Sequence, residues 1–98
     1  MKHFAVTRER GPAWNDSVPM REQKLWKEHA AFMEGLADEG FIVLGGPVGR
    51  GERSFQFLIK ADSPKTIRTR LAADSWTSMR LLRIARIEPW ELLLGSVD

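Results

Sequence analysis

One histidine stands where the sequence pattern calls for an apolar side chain. In the stretch "LWKEHAAFMEGLADEG", Leu25, Phe32, Met33 and Leu36 recur three and four positions apart, and His29 lies in the middle of the same helical stripe. A buried imidazole loses roughly 1 to 3 kcal/mol for each ring nitrogen without a hydrogen-bond partner. His29 is therefore either a core histidine bonded to backbone or water, or a functional group that an aspartate holds in one tautomer.

The remaining composition argues against several other kinds of site. The chain has no cysteine and only two histidines, His3 and His29, so neither a thiolate nucleophile nor a metal centre is expected. The stretch "GPVGRG" lacks the GxxxxGK[ST] phosphate loop, and no GxGxxG motif leads from a strand into a helix. We therefore expect no metal and no cofactor.

Four tryptophans in a chain without tyrosine indicate large apolar surfaces that have a polar exit. Trp14 and Trp76 fall in predicted loops. They either form the walls of a pocket for a flat, ring-shaped ligand, or they close the end of the core or a dimer seam.

Two further groups of residues suit an anionic ligand. Gly46 and Pro47, in "GGP" at the end of the second predicted strand, belong to a turn that could offer backbone N–H groups to an anionic oxygen, although any tight hairpin favours the same residues. Arg83 and Arg86 are expected on opposite faces of the last strand, so that one of them points inward. An inward arginine would bind a carboxylate, whereas a solvated strand end is the alternative.

The chain reads as six elements in the order βαββαβ. Short runs of strand formers alternate with two segments of helical periodicity, and the second helix has Ser63 as its N-cap and Pro64 at its first position. The predicted ranges are a strand at 3–8, a helix at about 19–39, strands at 41–46 and 54–60, a short helix after Ser63, and a strand at about 79–88.

This order predicts a ferredoxin-like fold, in which a four-stranded antiparallel sheet carries both helices on one face. The whole chain, 1–98, is expected to form a single domain because it is too short for a second core. The second and last strands are apolar on both faces, so the remaining sheet face needs a cover. The same face of another copy would supply it, which predicts a homodimer built as a dimeric α/β barrel.

The charge balance is only slightly basic. Fifteen Lys and Arg residues against 13 Asp and Glu give a net charge of +2, and the positive residues are dispersed along the chain. This balance is compatible with a small anionic ligand and does not predict a nucleic-acid partner. No apolar run approaches the roughly 20 residues that span a bilayer, and the N-terminus lacks a signal-peptide core. We expect a cytoplasmic protein without a membrane partner.

The chain resembles the YciI-like (YCII-related) proteins almost from end to end. The residues that carry the resemblance are "REQKLWKEHAAFMEGLADEGFIVLGGP" (21–47), "RTRLAADSW" (68–76) and "IEPW" (87–90). The resemblance implies a dimeric α+β barrel of ferredoxin-like subunits. It also implies that His29 and Asp74 form an active-site pair, with Ser75 in place of the proline that usually follows the aspartate. The predicted loops that contain Trp14 and Trp76 are expected beside this pair.

Three functions are compatible with these patterns. In the first, His29 is a general acid or base acting on a carbon next to a carbonyl, or on a lactone-like ring, and Asp74 orients it. In the second, the protein is a non-catalytic ligand-binding or structural homodimer. In the third, the βαββαβ order and "RSFQFL" belong to an RNA-binding sheet, but the second strand does not alternate as a solvent-exposed RNA platform requires.

Overall fold

A computed structural model describes residues 1–96. It contains a four-stranded sheet, three α-helices and one 3₁₀ turn, Met20–Glu22. In chain order the strands and α-helices are β1 (Lys2–Arg10), α1 (Trp26–Asp38), β2 (Ile42–Val48), β3 (Ser54–Ala61), α2 (Pro64–Ala72), α3 (Ser75–Ser78) and β4 (Leu82–Pro89). Among residues 1–96 no helix has the length and apolar character needed to cross a membrane.

The sheet has the strand order β2-β3-β1-β4, and every neighbouring pair is antiparallel. This arrangement confirms the predicted ferredoxin-like α+β fold. The core lies between one sheet face and the helices, where Val6 and Ile59 from the sheet and Ile67 and Leu71 from α2 are almost completely buried. We call the opposite sheet face, which the helices do not cover, the open face.

Helix α1 begins at Trp26 and not near Pro19 as predicted. The chain before it is held by Gln23, whose buried side chain donates to the carbonyls of Asn15 and Val18 and accepts from the Asn15 N–H. Leu25 then adopts a left-handed conformation with φ of 58°, which interrupts the helical path. Leu25 is consequently 41% exposed and does not belong to the buried stripe.

The second predicted helix begins where the sequence indicates. Ser63 Oγ accepts the Thr66 N–H at 3.2 Å, and Pro64 is the first helical residue. An additional four-residue helix, α3, follows it without having been predicted. Asp74 is the N-cap of α3, so the predicted active-site carboxylate also begins a helix.

Two irregularities change which residues face which side. Arg83 and Arg86 pair with Glu9 and Thr7, two residues apart on β1, so both lie on the open face. The prediction that they point to opposite faces is wrong, because a bulge at Ala85 shifts the register between them. A similar shift between Ile42 and Leu44 puts Leu44 on the open face, where it is 58% exposed.

Candidate active site

Three elements bring a charged cluster together under the sheet. Strand β1 supplies Arg8, helix α1 supplies His29, and the turn between α2 and α3 supplies Asp74. Nδ1 of His29 lies 2.9 Å from each Asp74 oxygen, and Nη1 of Arg8 donates to Asp74 Oδ2 at 2.9 Å. His29 and Arg8, which precede Asp74 by 45 and 66 positions, therefore share its carboxylate.

The carboxylate is fully buried and multiply paired. Arg8 and Asp74 are both 0% exposed, and Asp74 Oδ1 also accepts the Trp76 N–H at 3.0 Å. Burial raises the pKa of Asp74, but the hydrogen bond and charge of His29, the charge of Arg8 and the Trp76 N–H outweigh it, so the pKa falls below its usual value. Asp74 is therefore held as a carboxylate in the interior.

Arg8 is oriented from its other side as well. Its Nη2 donates to Thr77 Oγ1 at 2.8 Å, and Thr77 Oγ1 donates to the carbonyl of Leu71 at 2.7 Å. Burial lowers the pKa of Arg8, and the charge and hydrogen bond of Asp74 oppose that shift. An arginine stays protonated in proteins, so the cluster contains one fixed positive charge beside its negative charge.

The second nitrogen of His29, Nε2, is not used by the contact with Asp74. Among residues 1–96, Nε2 makes no side-chain hydrogen bond, and it does not belong to the fully buried atoms that lack a partner. Nε2 therefore retains contact with solvent although His29 as a whole is 7% exposed. With Nδ1–H donating to Asp74, Nε2 would present a lone pair outward.

Trp14 and Trp76, the two tryptophans predicted to belong to the site, lie next to this cluster. Trp76 is 0% exposed and stacks on the His29 ring, with centroids 3.8 Å apart and planes 6° from parallel. Its Nε1–H donates to the carbonyl of Lys24 at 2.7 Å, which fixes the indole against the start of α1. Trp14 meets Trp76 edge-on at 5.5 Å. Trp76 thus fixes the plane of the imidazole, and Trp14 packs behind it.

Gly46 and Pro47 do not join the group around His29. Pro47 pairs with Phe55, and Phe55 pairs with Arg8, so Pro47 lies two strands from Arg8 on the edge strand β2. Gly46 faces the open side, where it borders a shallow groove with Trp90. The structure therefore unites four of the six predicted site residues: His29, Asp74, Trp14 and Trp76.

The sequence prediction missed Arg8 and Thr77. A signal for Arg8 was present, because Arg8 continues the alternation of Phe4 and Val6 along the core face of β1. A charged residue at such a position needs a buried partner, as His29 does. Thr77 carries no comparable signal.

Among residues 1–96 no three His, Cys, Asp or Glu side chains form a group that could ligate a metal ion.

Comparisons with known proteins give a likeness in fold. No protein-family model matches the chain, and no curated protein matches its sequence. Among solved structures it is similar to 5-chloro-2-hydroxyhydroquinone dehydrochlorinase (TftG) from Burkholderia phenoliruptrix AC1100, in complex with 2,5-dihydroxybenzoquinone. The TM-score is 0.62 at 21% sequence identity, over 95% of each chain. This likeness establishes a shared fold. Membership of the dimeric α+β barrel superfamily and of the YciI-like family stays a prediction.

Proposed function

We propose that the protein is a small enzyme of the YciI-like type, in which His29 performs acid–base chemistry on a small organic substrate with a carbonyl or lactone group. One observation carries the proposal. A buried carboxylate holds Nδ1 of His29, while Nε2 is unpaired within residues 1–96 and in contact with solvent. This is the arrangement that a histidine base needs.

The steps follow from the charges of the cluster. Nε2 takes a proton from a carbon next to a carbonyl, the C–H electron pair moves into an enolate, and the imidazole becomes a cation. Asp74 stabilises that cation, and Arg8 holds Asp74 in place and ionised. Nε2 then returns the proton to the same or another atom of the substrate. The negative charge of the enolate balances the positive charge that His29 gains.

The solved neighbour suggests the kind of substrate. Its name describes a dehydrochlorinase acting on a chlorinated hydroxyhydroquinone, and its structure contains a dihydroxybenzoquinone. We propose by analogy that this chain accepts a small ring-shaped molecule with carbonyl or hydroxyl groups, anionic or able to become so. No metal or cofactor is part of the proposal, and a cytoplasmic location stays a prediction.

We also propose that two copies associate through the open face. Leu44, Val48 and Trp90 are 58%, 51% and 40% exposed, and Leu44 and Trp90 line the shallow groove there. Exposed apolar residues grouped on one sheet face are typical of an interface.

The alternative function is a non-catalytic ligand-binding or structural homodimer. The internal pairing of Arg8, Asp74 and His29 favours it, since those contacts would also satisfy a purely structural cluster.

Replacement of His29 by Asn tests the catalytic proposal. An asparagine amide can still donate to Asp74 in place of Nδ1–H, but it has no group equivalent to Nε2. On a substrate found among lactones, enol-lactones, hydroquinones and quinones, we expect His29→Asn to lose about 10²- to 10⁴-fold in kcat, as is usual for a lost acid–base group.

Circular dichroism and thermal unfolding of the same variant provide the control. A folded His29→Asn protein with unchanged turnover would eliminate the proposed role of His29. A variant that unfolds while the wild type turns over nothing would favour the structural alternative.

A further inference from the structure

A cleft of about 370 Å³ lies beside the edge strand β4, and His29 does not line it. Three arginines border this cleft: Arg68 from α2, Arg80 after α3, and Arg83 from β4, whose side chain lies on the open face and pairs with Glu9. Leu82 and Ile84 supply apolar surface at its base. No acidic side chain of the described residues lines it, so we call it the arginine cleft.

The positive charge of the arginine cleft is largely unbalanced. Within residues 1–96, Arg68 and Arg80 form no salt bridge, whereas Arg83 pairs with Glu9 at 3.2 Å. Elsewhere in the described chain, Arg86 and Arg70 have acidic partners, whereas Arg21, Arg50 and Arg53 form no salt bridge, so the arginine cleft is distinguished by the grouping of its arginines and not by their lack of partners. Unpaired guanidinium groups around one cleft raise the local concentration of anions.

Arg80 has a left-handed backbone conformation, which glycine usually adopts. Arg80 has φ of 61°, and the Leu81 N–H bonds to the Trp76 carbonyl while the Arg80 N–H bonds to the Thr77 carbonyl. This is the left-handed ending of a helix, where glycine is the usual residue because it has no Cβ. The Arg80 carbonyl also accepts the Ala13 N–H at 3.0 Å, so the conformation is fixed. Arg80 shares a positive φ with Leu25 and Glu52, and it differs from them in lining the arginine cleft.

The cleft adjoins the charged cluster without being part of it. Thr77 lines the arginine cleft, and its Oγ1 accepts the hydrogen bond from Arg8 Nη2. Arg8 therefore separates this wall of the cleft from Asp74. A ligand in the cleft would lie behind the Arg8–Asp74 pair, at a site distinct from His29.

The geometry points to a second binding site in the arginine cleft, for a carboxylate attached to a small apolar or aromatic body. Planar guanidinium groups match a carboxylate with two parallel hydrogen bonds. Leu82, Ile84 and Pro12 offer the apolar surface that a ring or short chain would cover. This site does not depend on the proposed activity of His29, because its test requires no turnover.

The test is thermal unfolding of the wild type and of Arg80→Gly, with benzoate, acetate or inorganic phosphate added at constant ionic strength. A ligand that binds only the folded state raises its Tm. We expect benzoate to raise the wild-type Tm more than acetate or phosphate does. For Arg80→Gly we expect the Tm without ligand to rise by a few degrees, because the strain at φ of 61° is relieved. We also expect benzoate no longer to raise the Tm of this variant.

Three further variants separate charge from backbone effects. Arg68→Ala should reduce the benzoate shift, and Arg80→Lys should keep part of it without raising the Tm. Arg50→Ala, an exposed arginine in the β2–β3 loop, should keep the full shift although it loses the same charge. A benzoate shift that survives in Arg80→Gly, or its absence from the wild type, would overturn the site. A phosphate shift larger than that of benzoate would overturn the assignment to carboxylates.

Discussion

At the scale of single residues, the proposed chemistry depends on one carboxylate shared by two basic groups. Asp74 receives Nη1 of Arg8 and Nδ1 of His29, each at 2.9 Å, in a position without solvent exposure. Removing either basic group would leave the buried carboxylate with only one basic partner and the Trp76 N–H. His29 as a candidate was predictable because it interrupts an apolar stripe. Its contact with Asp74 was predictable only through the family resemblance, because no local pattern reports a pair 45 positions apart.

The shifted pKa of Asp74 predicts how stability depends on pH. Because its folded-state pKa lies below the usual 3.8, the carboxylate stabilises the fold at pH values above about 3.8. That contribution is lost as the pH falls through the folded-state pKa. We expect the free energy of unfolding in urea to fall more steeply with acidification in the wild type than in Asp74→Asn.

Asp62→Asn, a change at an exposed aspartate that forms no salt bridge within residues 1–96, is the matched control. It should keep the steep acid dependence of the wild type. Parallel pH profiles for the wild type and Asp74→Asn would contradict the view that the folded state holds Asp74 ionised.

At the scale of elements, predictions succeeded where local chemistry determines the structure. The start of α2 follows from Ser63 and Pro64 alone. The start of α1 did not follow, because Gln23 bonds to a loop eight residues away. Helix α3 has only four residues, too few to show a helical period, and the bulge at Ala85 depends on its pairing with β1.

The first position of α3 predicts a stabilising substitution, Ser75→Pro. Asp74 has ψ of 129°, which suits a residue before proline, and the Ser75 N–H donates no hydrogen bond within residues 1–96. Ser75 Oγ is buried without a partner, so its removal is an additional gain. We expect the free energy of unfolding to rise by about 0.5 to 1 kcal/mol, measured by urea denaturation.

Ser78→Ala, at the last position of the same short helix, is the comparison variant and should change stability less. A lower free energy of unfolding for Ser75→Pro would mean that proline does not fit the turn that aims Asp74.

At the scale of the whole molecule, the open face is the surface through which we propose that two copies associate. The helices bury one sheet face, whereas Leu44 and Val48 remain more than half exposed on the other. The prediction that the open face of the sheet is apolar is only partly correct for a single copy of the chain. Arg83, Arg86 and Glu88 lie on that face too, since a bulge that no local pattern indicates reverses the direction of Arg83.

The proposed homodimer predicts a solution mass of twice the chain mass of 11.2 kDa by light scattering. Leu44→Lys, which introduces a charge into the open face, should shift the protein toward the mass of one chain. Met79→Lys, at a 42% exposed position beside α3, is the control and should leave the mass unchanged. A wild type with the mass of a single chain would contradict the homodimer.

The tautomer of His29 is measured most directly by the nitrogen NMR spectrum of protein labelled with ¹⁵N-histidine, recorded in alkaline buffer. The chain has only two histidines, and His29→Asn assigns the signals of His29 by removing them. We expect a protonated Nδ1 held by Asp74 and an unprotonated Nε2, with that preference weakened in Asp74→Asn. A His29 ring protonated at Nε2 would contradict this expectation, because the atom proposed to accept the substrate's proton would already carry one.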